Sequence, residues 1–156
     1  MPVTNEDVKQ LCAEKYLDYV SRLKGRVSFR INEIEEQKSK LDVLGIDYES
    51  SIAQGSVTND KVPDGVLKLI EYIDWLDADL QIYKDDMQIA IGIIESLPSD
   101  LVEPARSHYI EGVPWATIER LTYYSHSAVM KKRKRILIEI YDLMPEEWRR
   151  ILPKAI

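Results

Sequence analysis

Apolar residues recur at Val62, Val66, Leu69, Ile73, Leu76, Leu80, Tyr83, Met87, Ala90, Ile94 and Leu97, in steps of four and three. That is a repeat of about 3.5 residues held over roughly five heptads, the period of a coiled coil. A helix of this length extends on the order of 50 Å, and its apolar seam must be buried against another helix. Asp60 or Asp64 can cap its start, Pro63 fits a first turn, and Pro98 stops its far end. Whatever else the chain does, it must supply that helix with a partner.

The preceding residues supply one. Val8, Cys12, Tyr16, Val20, Leu23, Val27, Ile31 and Ile34 step by three or four residues along one helical face. Thr4 is a good N-cap, with Glu6 and Asp7 well placed against a helix N-terminus. Gly25 weakens such a helix by only ~1 kcal/mol, so the expected helix runs over 4–43. Residues 45–61 form a polar connector between antiparallel helices, and a phosphate-binding nest at Gly55-Ser56 is the sharper alternative. Ile70, Ile82, Ile89, Ile91 and Ile93 lie off the seam and widen the apolar surface, so a homo-oligomer, with a dimer favoured, is expected. The acids Glu71, Asp74, Asp77, Asp79, Asp85 and Asp86 read as a solvated face, since no histidine-bearing metal motif accompanies them.

Charge divides the chain. Residues 1–96 carry 11 Lys/Arg against 19 Asp/Glu, a net of −8, whereas residues 97–156 carry 10 against 8, a net of +2. Five cations stand in a row from Lys131 to Arg135. Such asymmetry bears on phosphate attraction more than the total of −6 does. The single cysteine, Cys12, excludes an intrachain disulfide and fits a reducing compartment. No apolar run reaches the roughly 18 residues of a membrane span, and the N-terminus lacks a secretory pattern. A cytoplasmic protein without a membrane partner is expected.

The segment Leu97–Tyr141 carries the outward-facing chemistry. Ser99 or Glu103 can cap a first short helix, with Pro104 in its first turn. Leu101, Ala105, His108, Tyr109 and Ile110 form its apolar side, and Gly112 ends it. Pro114 starts a second helix, in which Trp115, Ile118 and Leu121 make a buried face. Tyr123-Tyr124 turns the chain, and Ser125 is the N-cap of a third helix. There Val129, Ile136 and Ile140 share one side. Ser127, Lys131, Lys134 and Ile138 fall opposite, with Met130 and Arg135 on the flanks. Arg133 falls toward the core side, and Lys132 suits either role. Two short helices before a third with a cationic, polar face is the pattern of a helix-turn-helix.

These residues resemble the phage-encoded RinA/ArpU-like transcriptional regulators, whose C-terminal part is similar to sigma-factor region four. Tyr109-Ile110, Gly112, Trp115, Ile118, Tyr124-Ser125 and Val129 match the family spacing over about 25 residues. The family also places a helical, coiled-coil-like segment before its DNA-binding unit. This chain departs from the pattern at His108, where arginine is usual, and at Glu119, where a small residue is usual. It departs again at Leu121-Thr122, where the apolar residue comes one position early. A glutamate at that crossing either splays the helices or pairs with a cation such as Arg133.

The expected fold is therefore all-α. A long N-terminal antiparallel helical hairpin over 1–97 precedes a C-terminal helix-turn-helix domain over 98–156. Ser125, His126, Ser127, Lys131, Lys132, Lys134 and Arg135 are the candidate DNA-binding residues. His126 reads equally well as a base or phosphate contact and as a plain surface residue. His108 and Cys12 make no zinc spacing, no nucleophile motif is present, and neither metal, cofactor nor catalysis is expected. Glu146–Leu152 makes a short amphipathic end, with Trp148, Ile151 and Leu152 folding back as a core cap or serving as a docking tail.

The expected function is a phage-type transcriptional regulator, an activator in the host bacterial cytoplasm. Its expected partner is double-stranded DNA, with RNA polymerase a second candidate. The alternatives are a DNA-packaging protein like the small terminase subunits and a helical adaptor that binds no DNA.

Overall fold

The structure, a computed structural model, describes residues 4–49 and 63–149, and all its regular elements are helical. Helix α1 runs over Asn5–Val43 and α2 over Asp64–Glu95. The start of α1 is closed by a reciprocal cap. The Asp7 amide donates to Thr4 Oγ1 and the Thr4 amide donates to Asp7 Oδ2, each at 3.1 Å. Gly25 does not interrupt the helix. Its end is a Schellman motif: Gly45 sits at φ 75, its amide reaches the Asp42 carbonyl, and the Ile46 amide reaches Leu41.

By contacts the chain divides into two compact units, Gly25–Asp85 and Met1–Lys24 with Asp86–Ile156. In the first, Glu33 lies by Tyr72 and Arg30 by Asp79, so α1 and α2 run antiparallel. Ile34, Val66, Ile73, Leu76 and Leu80 form the core expected from the two seams, and Leu41, two turns beyond the expected seam of α1, joins them. Ile70, expected off the seam, is buried there too, because a straight helix drifts relative to a strict heptad. The acids of α2 are not all solvated. The hydroxyl of buried Tyr48, just beyond α1, donates to Asp74 and lies 3.1 Å from Asp77 Oδ2, tying the chain after Gly45 back to α2. Burial, and then the two carboxylates, push the Tyr48 phenol up. The Gly55-Ser56 nest lies outside the described residues.

The other unit contains the start of α1, the end of α2 and everything after it. Its elements are α3 (Ser99–Ala105), a π-helical turn (Arg106–Ile110), α4 (Trp115–Thr122), α5 (His126–Leu143) and α6 (Glu146–Arg149). One core joins Cys12, Tyr16, Leu17 and Val20 of α1, Ala90 and Ile94 of α2, Leu101 of α3, and Ile136, Leu137 and Ile140 of α5. The boundary expected at residue 97 does not coincide with this division. The first turns of α1 pack with the C-terminal helices, because their apolar face needs the one that α5 offers.

Arg149 closes the end of α5. Its guanidinium donates to the carbonyls of Tyr141, Asp142 and Met144 at 2.9–3.0 Å, groups that a helix end leaves unpaired. Trp148 packs against that core, its ring 5.5 Å from Tyr16 and 5.2 Å from Tyr19. This is the cap expected for Trp148, while Ile151 and Leu152 lie outside the described residues. Trp148→Ala should lower stability by about 2 kcal/mol, read as a shift in the urea midpoint. An unchanged midpoint would show that the indole contributes nothing to this core.

Candidate nucleic-acid interface

The candidate surface lies on α5, and α3 and α4 set its surroundings. Helix α3 begins after Pro98 without a side-chain cap, so neither Ser99 nor Glu103 plays that part. Pro104 is the sixth residue of α3, not a first-turn residue. Having no N–H, it leaves the Asp100 carbonyl four residues back without its helical donor. Lys132 Nζ takes that place at 3.2 Å. The helix then widens into the π turn, which brings both Ala105 and Tyr109 into the core.

Gly112, at φ 77, reverses the chain into α4. His108 braces this reversal. Its Nδ1–H donates to the Val113 carbonyl at 2.8 Å, and its ring stacks on Trp115 with centroids 4.3 Å apart. Tyr109 meets the same indole edge-on at 6.0 Å, and burial pushes its phenol up to about 12. His108 is thus a positioning group between the π turn and α4. Among the described residues no cluster of His, Cys, Asp and Glu could hold a metal ion.

In α4 only Ile118 is fully inside. Trp115 is half-buried and Leu121 is 66% exposed. The buried face expected to include Leu121 therefore stops one turn short, because Leu121 arrives one position too early to face α5. The Thr122 hydroxyl bonds back to the Ile118 carbonyl at 2.6 Å. Leu121 and Tyr124 instead border a groove of about 490 Å³ floored by Trp115, Ile118 and Val129, with Asp100 and Lys132 at its edge.

Tyr123 ends α4 in the left-handed region, φ 59, with its ring 94% exposed. A non-glycine residue there costs roughly 1–2 kcal/mol, yet it supplies the tight reversal that α5 needs. Ser125 then caps α5 as expected, its side chain accepting from the Ala128 amide at 3.1 Å. Glu119 does not pair with Arg133. Its Oε1 lies 2.6 Å from His126 Nδ1, so it ties α4 to the first residue of α5.

The rotation of α5 follows the expected pattern. Val129, Ile136, Leu137 and Ile140 are buried, while Ser125, His126, Ser127, Lys131, Lys134 and Arg135 are exposed and Lys132 is half-buried. The ion pairs were not legible in the sequence. Asp100 Oδ2 lies 2.7 Å from Arg135 Nη1 and 3.7 Å from Lys132 Nζ, and Lys132 also stands 5.1 Å from the centre of the Tyr124 ring. Arg133 lies 3.5 Å from Glu14, and Lys134 lies 3.8 Å from Glu6. Among the described residues, Lys131 is the cation of this run with no carboxylate within ion-pair distance. Pairs this exposed contribute little, about 0–1 kcal/mol each, so a phosphate can displace them.

Comparison with known protein families, with curated protein sequences and with solved structures found no match to this chain. Among the described residues no helix is long and apolar enough to cross a membrane.

Burial holds the His108 imidazole below its ordinary value of 6.5, against the bond to the Val113 carbonyl, which raises it. The fold therefore prefers neutral His108, while the unfolded chain takes up the proton first. Its contribution to stability is complete above pH 6.5 and is lost as pH falls below that value toward the lowered one. His108→Phe, which cannot titrate, should lose less melting temperature than wild type between about pH 7 and about pH 5. Parallel losses in the two proteins would contradict this role.

Proposed function

We propose that this protein is a phage-type DNA-binding transcriptional regulator, an activator of phage genes, in which α4, the Tyr123–Ser125 turn and α5 work as a helix-turn-helix. The observation that carries the reading is the start of α5. A left-handed turn residue and a serine cap lead into a helix whose exposed face presents Ser127, Lys131 and Lys134, while its opposite face is buried. A recognition helix in the major groove needs its first turns free and polar, with cations for the flanking phosphates. His126 and Ser127 are the candidates for base edges, and Lys131, Lys132, Lys134 and Arg135 for phosphates.

The acidic middle of α2 disfavours DNA contact there. Phe29, Tyr72, Trp75 and Ile82, exposed by 40–67%, support self-association, and a dimer would place two α5 helices on paired half-sites. Double-stranded DNA is the proposed partner, RNA polymerase a further one, and the bacterial host cytoplasm the proposed setting.

A second reading is favoured by the ion pairs: the cations of α5 join it to α1 and α3, and the protein is a helical adaptor that binds no DNA. Affinity for DNA, measured across salt, separates the two. Under the first reading, log Kd rises with log salt, and Lys131→Gln with Lys134→Gln lowers the slope by about 2 while helicity is unchanged. Binding that is absent in wild type, or unaltered in the double variant, would remove the recognition-helix assignment.

A further inference from the structure

Asp100 holds two of the five cations of α5 at once, from another helix. Its carboxylate meets Arg135 at 2.7 Å and Lys132 at 3.7 Å, residues one turn apart on the same side of α5. Its carbonyl, freed by Pro104, takes a further bond from Lys132 at 3.2 Å. The arrangement is specific. Asp100 stands in the first turn of α3, where a carboxylate is favoured by the helix dipole. Lys132 is further fixed by the Tyr124 ring, 5.1 Å from its ammonium. An anionic oxygen between an arginine and a lysine one turn apart has the charge and spacing of a backbone phosphate contact.

We propose that Asp100 is a built-in competitor for the nucleic-acid backbone. It occupies Lys132 and Arg135 in the free protein, and a DNA phosphate must displace it before those cations contribute to binding. This rests on the DNA-binding reading above and adds to it a residue that sets affinity. Lys131 and Lys134 make the first contacts, Lys134 leaving only its long, exposed approach to Glu6. Lys132 and Arg135 engage only where a correctly placed phosphate repays the exchange. Correctly docked DNA therefore gains two contacts that loosely bound DNA does not, so Asp100 suppresses non-specific binding more than specific binding.

The test is Asp100→Asn, which keeps the shape and the backbone carbonyl and removes the charge, with Asp100→Glu as the charge-retaining control. Binding of each protein to random-sequence duplex DNA is measured by fluorescence anisotropy across salt. In parallel, the acetylation rates of Lys131 and Lys132 are measured by mass spectrometry without DNA. Asp100→Asn should bind random DNA about threefold to tenfold more tightly at low salt, with a salt slope steeper by about 1 to 2. Lys132 should be acetylated more slowly than Lys131 in wild type and should speed up in Asp100→Asn. Asp100→Glu should resemble wild type in all three respects.

Equal or weaker binding by Asp100→Asn would overturn the proposal, leaving Asp100 as a tie between helices. Should neither wild type nor any variant bind DNA while Lys132 still responds, the DNA-binding reading itself fails and the competitor role fails with it. An Lys132 rate unaffected by Asp100→Asn would overturn the proposal independently of any DNA measurement.

Discussion

The burial of Ile136, Leu137 and Ile140 against Tyr16, Leu17, Val20 and Leu101 decides what the rest of this unit can do. Each such aliphatic side chain removed from water contributes about 1.5–3 kcal/mol, so the rotation of α5 about its axis is set by strong terms. Once that face is inside, Ser127, Lys131 and Lys134 have to be outside. The ion pairs on the same helix are individually weak and exposed, and they adjust to the rotation without determining it. Stability and the candidate interface thus occupy opposite faces of one helix. The interface can be altered by substitution with little cost to the core.

Much of the architecture was legible because it follows from local chemistry. The heptad steps of α2, the Thr4 cap, the Gly112 reversal and the Ser125 cap each rest on residues within a few positions of one another. Sequence reasoning lost its hold where an outcome depended on a distant neighbour. Nothing around Pro104 announces a π turn, nor that distant Lys132 will reach the carbonyl that Pro104 leaves open. Nothing around Tyr48 announces that Asp74 and Asp77 will meet its hydroxyl. The division into units also follows from distant pairing, since α1 finds its apolar partners partly in α2 and partly in α5.

The cation run from Lys131 to Arg135 is the instructive case. As a string of letters it reads as five equivalent charges, yet four of them face carboxylates of α1 or α3. The run is thus an attachment of α5 to its neighbours as well as an exposed group of charges. Glu119 is a similar attachment. Its carboxylate meets the His126 ring, tying α4 to the start of α5. Tyr123 points the other way: neither the turn nor the core needs an exposed tyrosine there.

In the proposed function the exposed face of α5 meets DNA while its buried face holds the fold. Amide chemical shifts followed by NMR during titration with duplex DNA at low salt test this most directly. Contact through this face would centre the changes on His126, Ser127, Lys131 and Lys134, with Ile136, Ile140 and the Tyr16–Val20 stretch little affected. Changes centred on α2, or no changes at all with DNA in excess, would contradict it.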